Sequence, residues 1–417
     1  MTENSPNSDG IIKQALILFI ATVLAGGCNY IYQIIMGRSL GASLYSELAA
    51  VISIFLIVSI PTQTVSTMLV RYVSKLHAEG KDPEVTWLVR TFTVYVSIIA
   101  LVMVVGVFFA IPFLMSFLNL TSDGPLLILT AGLFFTMLYP IGIGTAQGLQ
   151  RFKMVGISNI IGPVGKLFFG VFFVILGYGV SGAFGGVVVG SGMVLIISYF
   201  SVRDVFRGEK RKFNIAELRR YLIPVTVAVL CFTVLTNIDT FLARHYLSEI
   251  DAGLYSAASM LGKIILFLPG AIGAVMFPKI SKAHAQGEGT YAIMRKSILW
   301  TLAISIVVAA VYAIAPGFVI QLLYGSTYVD AASTLAVLGV AMTLFGLATL
   351  FMNYGLATDS YALIVILASF TILEVSLIAI WNTTPLDIAI DLLICSAGIC
   401  SLSWIHLSQR HRSGRLK

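Results

Sequence analysis

The chain has 417 residues, of which 58% are hydrophobic and only 11% charged, with a mean hydropathy of +0.96. A soluble globular protein carries about 25% charged residues, so the composition excludes a water-soluble domain and points to a protein embedded in lipid. The net charge of +7 follows from where Lys and Arg are placed along the chain, and nucleic-acid binding is not needed to account for it.

A helix crossing a bilayer needs about 20 mostly apolar residues. Twelve stretches meet that requirement, at 12–36, 44–70, 91–118, 124–149, 156–178, 182–202, 219–243, 252–278, 297–322, 328–354, 360–381 and 386–406. The residues before the first are polar, with acidic Glu3 and Asp9. The run that follows exceeds a signal core of about 7–15 residues, which predicts a retained first helix. Two divisions are thin. Gly177-Tyr178-Gly179 separates the fifth span from the sixth, and Asn353-Tyr354-Gly355 with Thr358-Asp359-Ser360 separates the tenth from the eleventh. Cys28, Cys231, Cys395 and Cys400 fall in apolar spans without zinc-site or CxxC spacing and read as packing residues. The sequons at Asn119 and Asn382 fall on expected outer loops and read as chance occurrences.

Of the 26 Lys and Arg residues, 22 lie at the termini or in the even-numbered loops. Arg38 and Arg244 lie near the other side, and Lys166 and Lys263 lie within spans. The positive-inside rule then predicts a multi-pass protein of the cell (plasma or inner) membrane with both termini in the cytoplasm.

The chain also repeats itself. Ala42-Ser43-Leu44-Tyr45-Ser46 opens the second span and Ala252-Gly253-Leu254-Tyr255-Ser256 the eighth. Ser74-Lys75-Leu76-His77-Ala78 and Ser281-Lys282-Ala283-His284-Ala285 follow those two spans, and the offset stays near 207–210 residues. Six spans in each half return the chain to its starting side. The expectation is therefore an all-α membrane protein with about 12 transmembrane helices in two parallel six-helix repeats, 1–208 and 209–417, around a central cavity. The joint, Arg203 to Arg220, mixes basic residues with Phe213, Ile215 and Leu218. It reads as a topogenic linker anchored at the interface, with a lipid-binding regulatory segment as the alternative.

Several motifs carry a family resemblance. Met36-Gly37-Arg38-Ser39-Leu40-Gly41-Ala42-Ser43-Leu44-Tyr45 resembles the segment after the first helix of polysaccharide flippases. Gly144-Thr145-Ala146-Gln147-Gly148-Leu149-Gln150-Arg151-Phe152 is similar to the end of their fourth helix. Asn237-Ile238-Asp239-Thr240-Phe241-Leu242, Gly253-Leu254-Tyr255-Ser256-Ala257-Ala258 and Phe277-Pro278-Lys279-Ile280-Ser281 resemble their seventh and eighth helices. The resemblance covers about residues 10–360 and is to the polysaccharide transporter branch of the multidrug/oligosaccharidyl-lipid/polysaccharide exporter superfamily. It implies a flippase that moves lipid-linked oligosaccharide, a polyprenyl phosphate or pyrophosphate bearing a sugar chain, from the inner to the outer leaflet by alternating access. It implies no enzymatic step and no cofactor. The partners it implies are the lipid-linked substrate, membrane lipids, a coupling H+ or Na+, and polysaccharide assembly proteins.

A charge at the centre of a membrane helix costs about 2.5–3.5 kcal/mol on insertion scales, so intramembrane charges are the first place to look for function. Lys166, in Gly162-Pro163-Val164-Gly165-Lys166, and Lys263, after Gly262, are expected cavity cations for an anionic head group, the alternative being snorkelling to an interface. Arg38 and Arg244 are expected at the substrate or in outer ion pairs, Arg38 with Glu47 and Arg244 with Asp239. Asn159 and Asn237 are expected sugar contacts, and Tyr30, Tyr32, Tyr45 and Tyr255 could stack on sugar rings. Asp239 and Glu47 are the expected coupling residues, with Glu374 and Asp391 the remaining intramembrane acids. Two other readings stand beside the flippase: a cation-coupled multidrug exporter, with a cavity dominated by acids and aromatics, and a non-transporting scaffold, with every intramembrane charge satisfied internally.

Overall fold

The computed structural model describes residues 8–213, 216–286, 289–358 and 360–412. Ile215, Gly287, Asp359, Arg415 and Lys417 lie outside these, as do the side chains of Lys13, Leu218, Arg219, Arg220, Lys282, Arg410 and Arg412. Among the described residues all regular structure is helical. In the first half the chain forms α1 (Ser8–Val58), α2 (Ile60–Ala78), α3 (Asp82–Phe117), α4 (Gly124–Gly148), α5 (Phe152–Ile175), α6 (Gly179–Ser201) and the short α7 (Arg203–Arg207). In the second it forms α8 (Ala216–Leu235), α9 (Ile238–Tyr246), α10 (Glu249–Gly262), α11 (Phe267–Ala285), α12 (Tyr291–Ile314), α13 (Pro316–Tyr324), α14 (Ala332–Ala357), α15 (Tyr361–Ile380) and α16 (Pro385–Arg412).

Among the described residues ten helical stretches are long and apolar enough to cross a membrane. The twelve expected spans map onto the helices because two expectations meet unusual local structure. The first span and the start of the second run together in α1 across a kink at Gly41, whose φ of 74° is open to glycine and strained for other residues, and the second continues in α2 after Ser59. The eighth span is broken into α10, a 3₁₀ turn over Lys263–Leu266, and α11. Prolines punctuate the halves in the same way: Pro61 sits in the first turn of α2, and Pro269 occupies the equivalent place near the start of α11. Proline is tolerated in a first turn because the N–H it lacks has no helical partner there.

The extremes of burial fall on the same spans in both halves. The fourth span of each, α4 and α14, is the most enclosed, at 61% and 72% of its apolar window. The third, α3 and α12, is mostly open, at 11% and 22%, and exposes Phe109 and Phe113 on α3 and Trp300 and Val307 on α12. Beyond their charged first turns, with Asp82 on α3 and Arg295 and Lys296 on α12 exposed, those faces are apolar, as a lipid-facing surface requires.

The chain divides into two compact units, Met1–Ser39 with Val58–Leu222, and Leu40–Ile57 with Ile223–Lys417. This differs from a division at 208/209 chiefly in one segment: Leu40–Ile57, between the Gly41 kink and the break at Ser59, packs with the C-terminal residues. The reason is steric. Gly253 on α10 lies so close to Ala42 that a Cβ there would stand 2.1 Å from the Ala42 carbonyl oxygen. In the first unit Met68, Leu69, Val73, Leu88, Val89 and Ile141 are core residues of α2, α3 and α4. In the second Met276, Ile280, Met294, Leu350, Phe351 and Tyr354 join α11, α12 and α14.

Candidate functional site

In the first unit, glycines decide the geometry. A Cβ at Gly186 would lie 2.3 Å from the Gly170 nitrogen, and one at Gly190 2.6 Å from the Gly162 oxygen, so α5 and α6 meet backbone to backbone. Tyr32, on α1, is fully buried and donates its hydroxyl to the Ala183 carbonyl at 2.8 Å. Its ring edge rests where a Cβ at Gly170 would intrude, 2.7 Å from Cε2. Lys166, on α5, places its ammonium 4.2 Å from the centre of that ring and donates to Asn29 Oδ1 at 3.1 Å. The Asn29 amide is oriented by its own donation to the Ala25 carbonyl at 3.1 Å. Among the described residues no carboxylate pairs with Lys166. Asn159, two turns earlier on the same face of α5, is half-buried. The arrangement leaves an uncompensated positive charge held by neutral groups.

In the second unit the charges gather where two helices are interrupted. The seventh span breaks between α8 and α9, and Asp239 falls in the first turn of α9, where a carboxylate is favoured by the helix dipole. Its Oδ2 accepts from the Tyr255 hydroxyl at 2.8 Å and from Ser259 at 2.9 Å. Its Oδ1 lies 3.7 Å from the Lys263 ammonium, at the 3₁₀ break of the eighth span. Lys263 also donates to Thr240 at 3.4 Å. Glu374 on α15 is fully buried within electrostatic reach of Asp239, Lys263 and Asp391. Both oxygens of Glu374, both of Asp391 and Oδ1 of Asp239 are buried without a hydrogen-bond partner. Buried carboxylates without donors are costly, which makes Glu374 and Asp391, beside the donor-held Asp239, the chemically unusual feature of the unit. Among the described residues no three His, Cys, Asp or Glu side chains form a metal-ligand set.

Arg244, at the end of α9, is 2% exposed. Its Nη2 lies 3.4 Å from Glu47 and 3.5 Å from Glu249, and its Nη1 donates to Ser46 at 3.0 Å. Ser43 donates to Glu249 at 2.6 Å; this hydroxyl, and then the Arg244 guanidinium, hold the Glu249 carboxyl below the usual carboxylate range. The network fastens Leu40–Ile57 to α9 and α10.

One expected ion pair is therefore corrected. Asp239 pairs with Lys263 rather than Arg244, and Glu47 is paired with Arg244. Five residues separate Asp239 from Arg244, which turns the two away from one another on α9, whereas Lys263 approaches from the neighbouring span. Arg38 is exposed beside the Gly41 kink. Asn237 spends its amide N–H groups on the Thr233 carbonyl, at 2.9 Å, and Thr236, at 3.1 Å, closing the end of α8. Tyr32, Tyr45 and Tyr255 are fully buried, which removes them as open stacking faces. Asn29, Tyr32, Glu374 and Asp391 are the residues whose importance sequence reasoning underweighted. The available signal was polarity at mid-span depth.

A family model described as "Polysaccharide biosynthesis protein" matches residues 11–284. Among curated proteins no sequence matches. Solved structures share the fold at low identity. An inward-facing multidrug resistance MATE family transporter of the MOP superfamily superposes with a TM-score of 0.76 at 13% identity, over 94% of this chain and 96% of that one. The lipid II flippase MurJ, in an inward closed conformation, gives 0.70 at 16%, over 95% and 87%. A MOP superfamily transporter from Pyrococcus furiosus, described by the reversed polarity of its binding pocket, gives 0.61 at 17%, over 95% and 96%.

Proposed function

The chain belongs to the polysaccharide biosynthesis protein family, and on that premise we propose that it is a flippase for lipid-linked oligosaccharide. It carries a polyprenyl phosphate or pyrophosphate bearing sugars from the inner to the outer leaflet by alternating access. The observation that carries this reading is Lys166: a membrane-embedded ammonium whose contacts, Tyr32 and Asn29, leave its charge unneutralised. Such a group suits an anionic head group and repels an organic cation. Asn159 on the same face of α5 is the sugar contact of this site. Arg38, Asn237, Lys263 and Arg244 are secondary: Lys263 and Arg244 already face carboxylates of the protein. No bond of the substrate is made or broken, so the work is binding and reorientation.

Asp239, Glu374 and Asp391 are the coupling group in this reading. An incoming H+ or Na+ supplies the partner that their bare oxygens lack. Glu47, held by Arg244, serves as a structural anchor. The same three acids favour the second reading, a cation-coupled multidrug exporter, in which they drive efflux of an organic cation.

The test is translocation of a fluorescent polyprenyl-pyrophosphate oligosaccharide in proteoliposomes, with an organic-cation efflux assay on the same preparation. The flippase reading expects lipid transport that falls at least about tenfold in Lys166→Met, about 1.4 kcal/mol of lost interaction, while the protein remains folded. Efflux of the cation with no lipid transport establishes the exporter instead.

A further inference from the structure

Three embedded bases of this chain are stabilised in two different ways. Lys263 faces Asp239 and Arg244 faces Glu47 and Glu249, so protein carboxylates neutralise both charges. Lys166 is held by an aromatic face and an amide oxygen instead. The distinction matters for binding. A carboxylate would occupy the ammonium's donors and compete with any incoming anion, whereas the face of a tyrosine attracts a cation through its quadrupole and leaves the net charge intact. An ammonium has three N–H donors. Asn29 takes one, the ring covers a second direction, and the third remains for a ligand.

The ring is itself immobilised. Tyr32 is fully buried, its hydroxyl is tied to the Ala183 carbonyl on α6, and its edge fills the space that Gly170 leaves on α5. A side chain gripped on two sides by separate helices fixes the direction of whatever sits on its face. We propose that Tyr32 is the positioning residue of the anion site: its locked ring orients the Lys166 ammonium toward the head-group oxyanion while sparing its charge. This inference rests on the assignment of Lys166 as the anion contact.

The test grades the ring's electrostatics without changing its shape. Tyr32→Phe and a series of ring-fluorinated phenylalanines are introduced at position 32 of the full-length protein by nonsense suppression. Two readouts are taken in proteoliposomes. The first is the KM and maximal rate for a fluorescent polyprenyl-pyrophosphate oligosaccharide. The second is the rate at which a water-soluble amine reagent modifies Lys166, read by mass spectrometry with Lys166→Met as the blank. Tyr32→Phe keeps the ring face but loses the tie to Ala183, so it is expected to raise KM about threefold with maximal rate unchanged, and it serves as the reference for the fluorinated series. Successive fluorines are expected to raise KM, by about tenfold over the series, with maximal rate unchanged, and to speed Lys166 labelling in the same order. A ring that only fills space would leave both readouts flat. Wild-type transport with flat responses overturns the positioning role and leaves the flippase standing. Graded labelling in a protein that does not move the lipid supports the positioning role and overturns the flippase reading.

Discussion

Arg151 shows how a single side chain secures one end of the first unit. Its guanidinium grips Asp204 in a fork, with Nη1 to Oδ1 at 2.7 Å and Nη2 to Oδ2 at 2.5 Å, and it also donates to the Ser201 carbonyl. The pair joins the start of α5 to α7, and the Arg151 hydrogen bonds hold the Asp204 carboxyl below its ordinary range. A carboxyl held down in the folded state stabilises the protein above its unfolded value of about 3.9, and that contribution is lost as pH falls through the lowered folded value. Asp204→Asn should therefore melt below wild type at neutral pH, by an amount worth less than about 1 kcal/mol because the pair is exposed. The difference should shrink below about pH 4, as thermal scans across pH would reveal. Residue identity alone marked Lys166 as unusual, since a lysine in an apolar helix is expensive wherever it points. It did not mark Tyr32, because an aromatic in a membrane helix is ordinary until its neighbours are known. It separated Lys166 from Lys263 only by depth in the span: both follow glycines in apolar runs, and the folded chain brings Asp239 to one and not to the other.

Among the helices, α5 and α6 are matched by glycines on their facing sides. At Gly186 a Cβ would collide with the Gly170 backbone, whereas at Gly185 the nearest atoms, on Phe173, would lie at an ordinary 3.5 Å. Gly186→Ala should cost about 1–3 kcal/mol through overpacking. Gly185→Ala should be neutral or gain up to about 1 kcal/mol from helix propensity. Thermal unfolding of the two variants in detergent checks the contrast. If both behave alike, the close approach of α5 and α6 does not stabilise the unit. The glycines were visible in the sequence as spacing around Lys166, but which of them face a neighbouring backbone was not, because two adjacent glycines on one helix differ only in the direction of a missing side chain. The breaks beside Asp239 and Lys263 were similarly hidden. Hydropathy is continuous through residues 219–243 and 252–278, and the interruptions at Thr236–Asn237 and Lys263–Leu266 arise from side chains competing with the helix for its carbonyls and from packing against other helices.

For the molecule as a whole, the bias of Lys and Arg predicts an orientation with both termini on the cytoplasmic side. A green fluorescent protein fused after Lys417 should fluoresce, and alkaline phosphatase inserted in the loops at Asn119 or Asn382 should be active. Phosphatase activity from a C-terminal fusion would reverse the orientation and with it the direction of transport. The sequence by itself determined that this chain lives in a bilayer, that it has about twelve spans, and that its two halves are related. Those properties are sums over many residues of hydropathy, charge bias and repeated motifs, so no single contact can overturn them. Its family was legible too, in motifs that hold local backbone shape. Only the tertiary structure decided which embedded charges are neutralised and which are left available, and that Leu40–Ile57 packs with the C-terminal residues. A charge's availability depends on what stands within a few ångströms of it, and in this fold some of those neighbours come from helices more than a hundred residues away in sequence, as Asn29 does for Lys166 and Glu47 for Arg244.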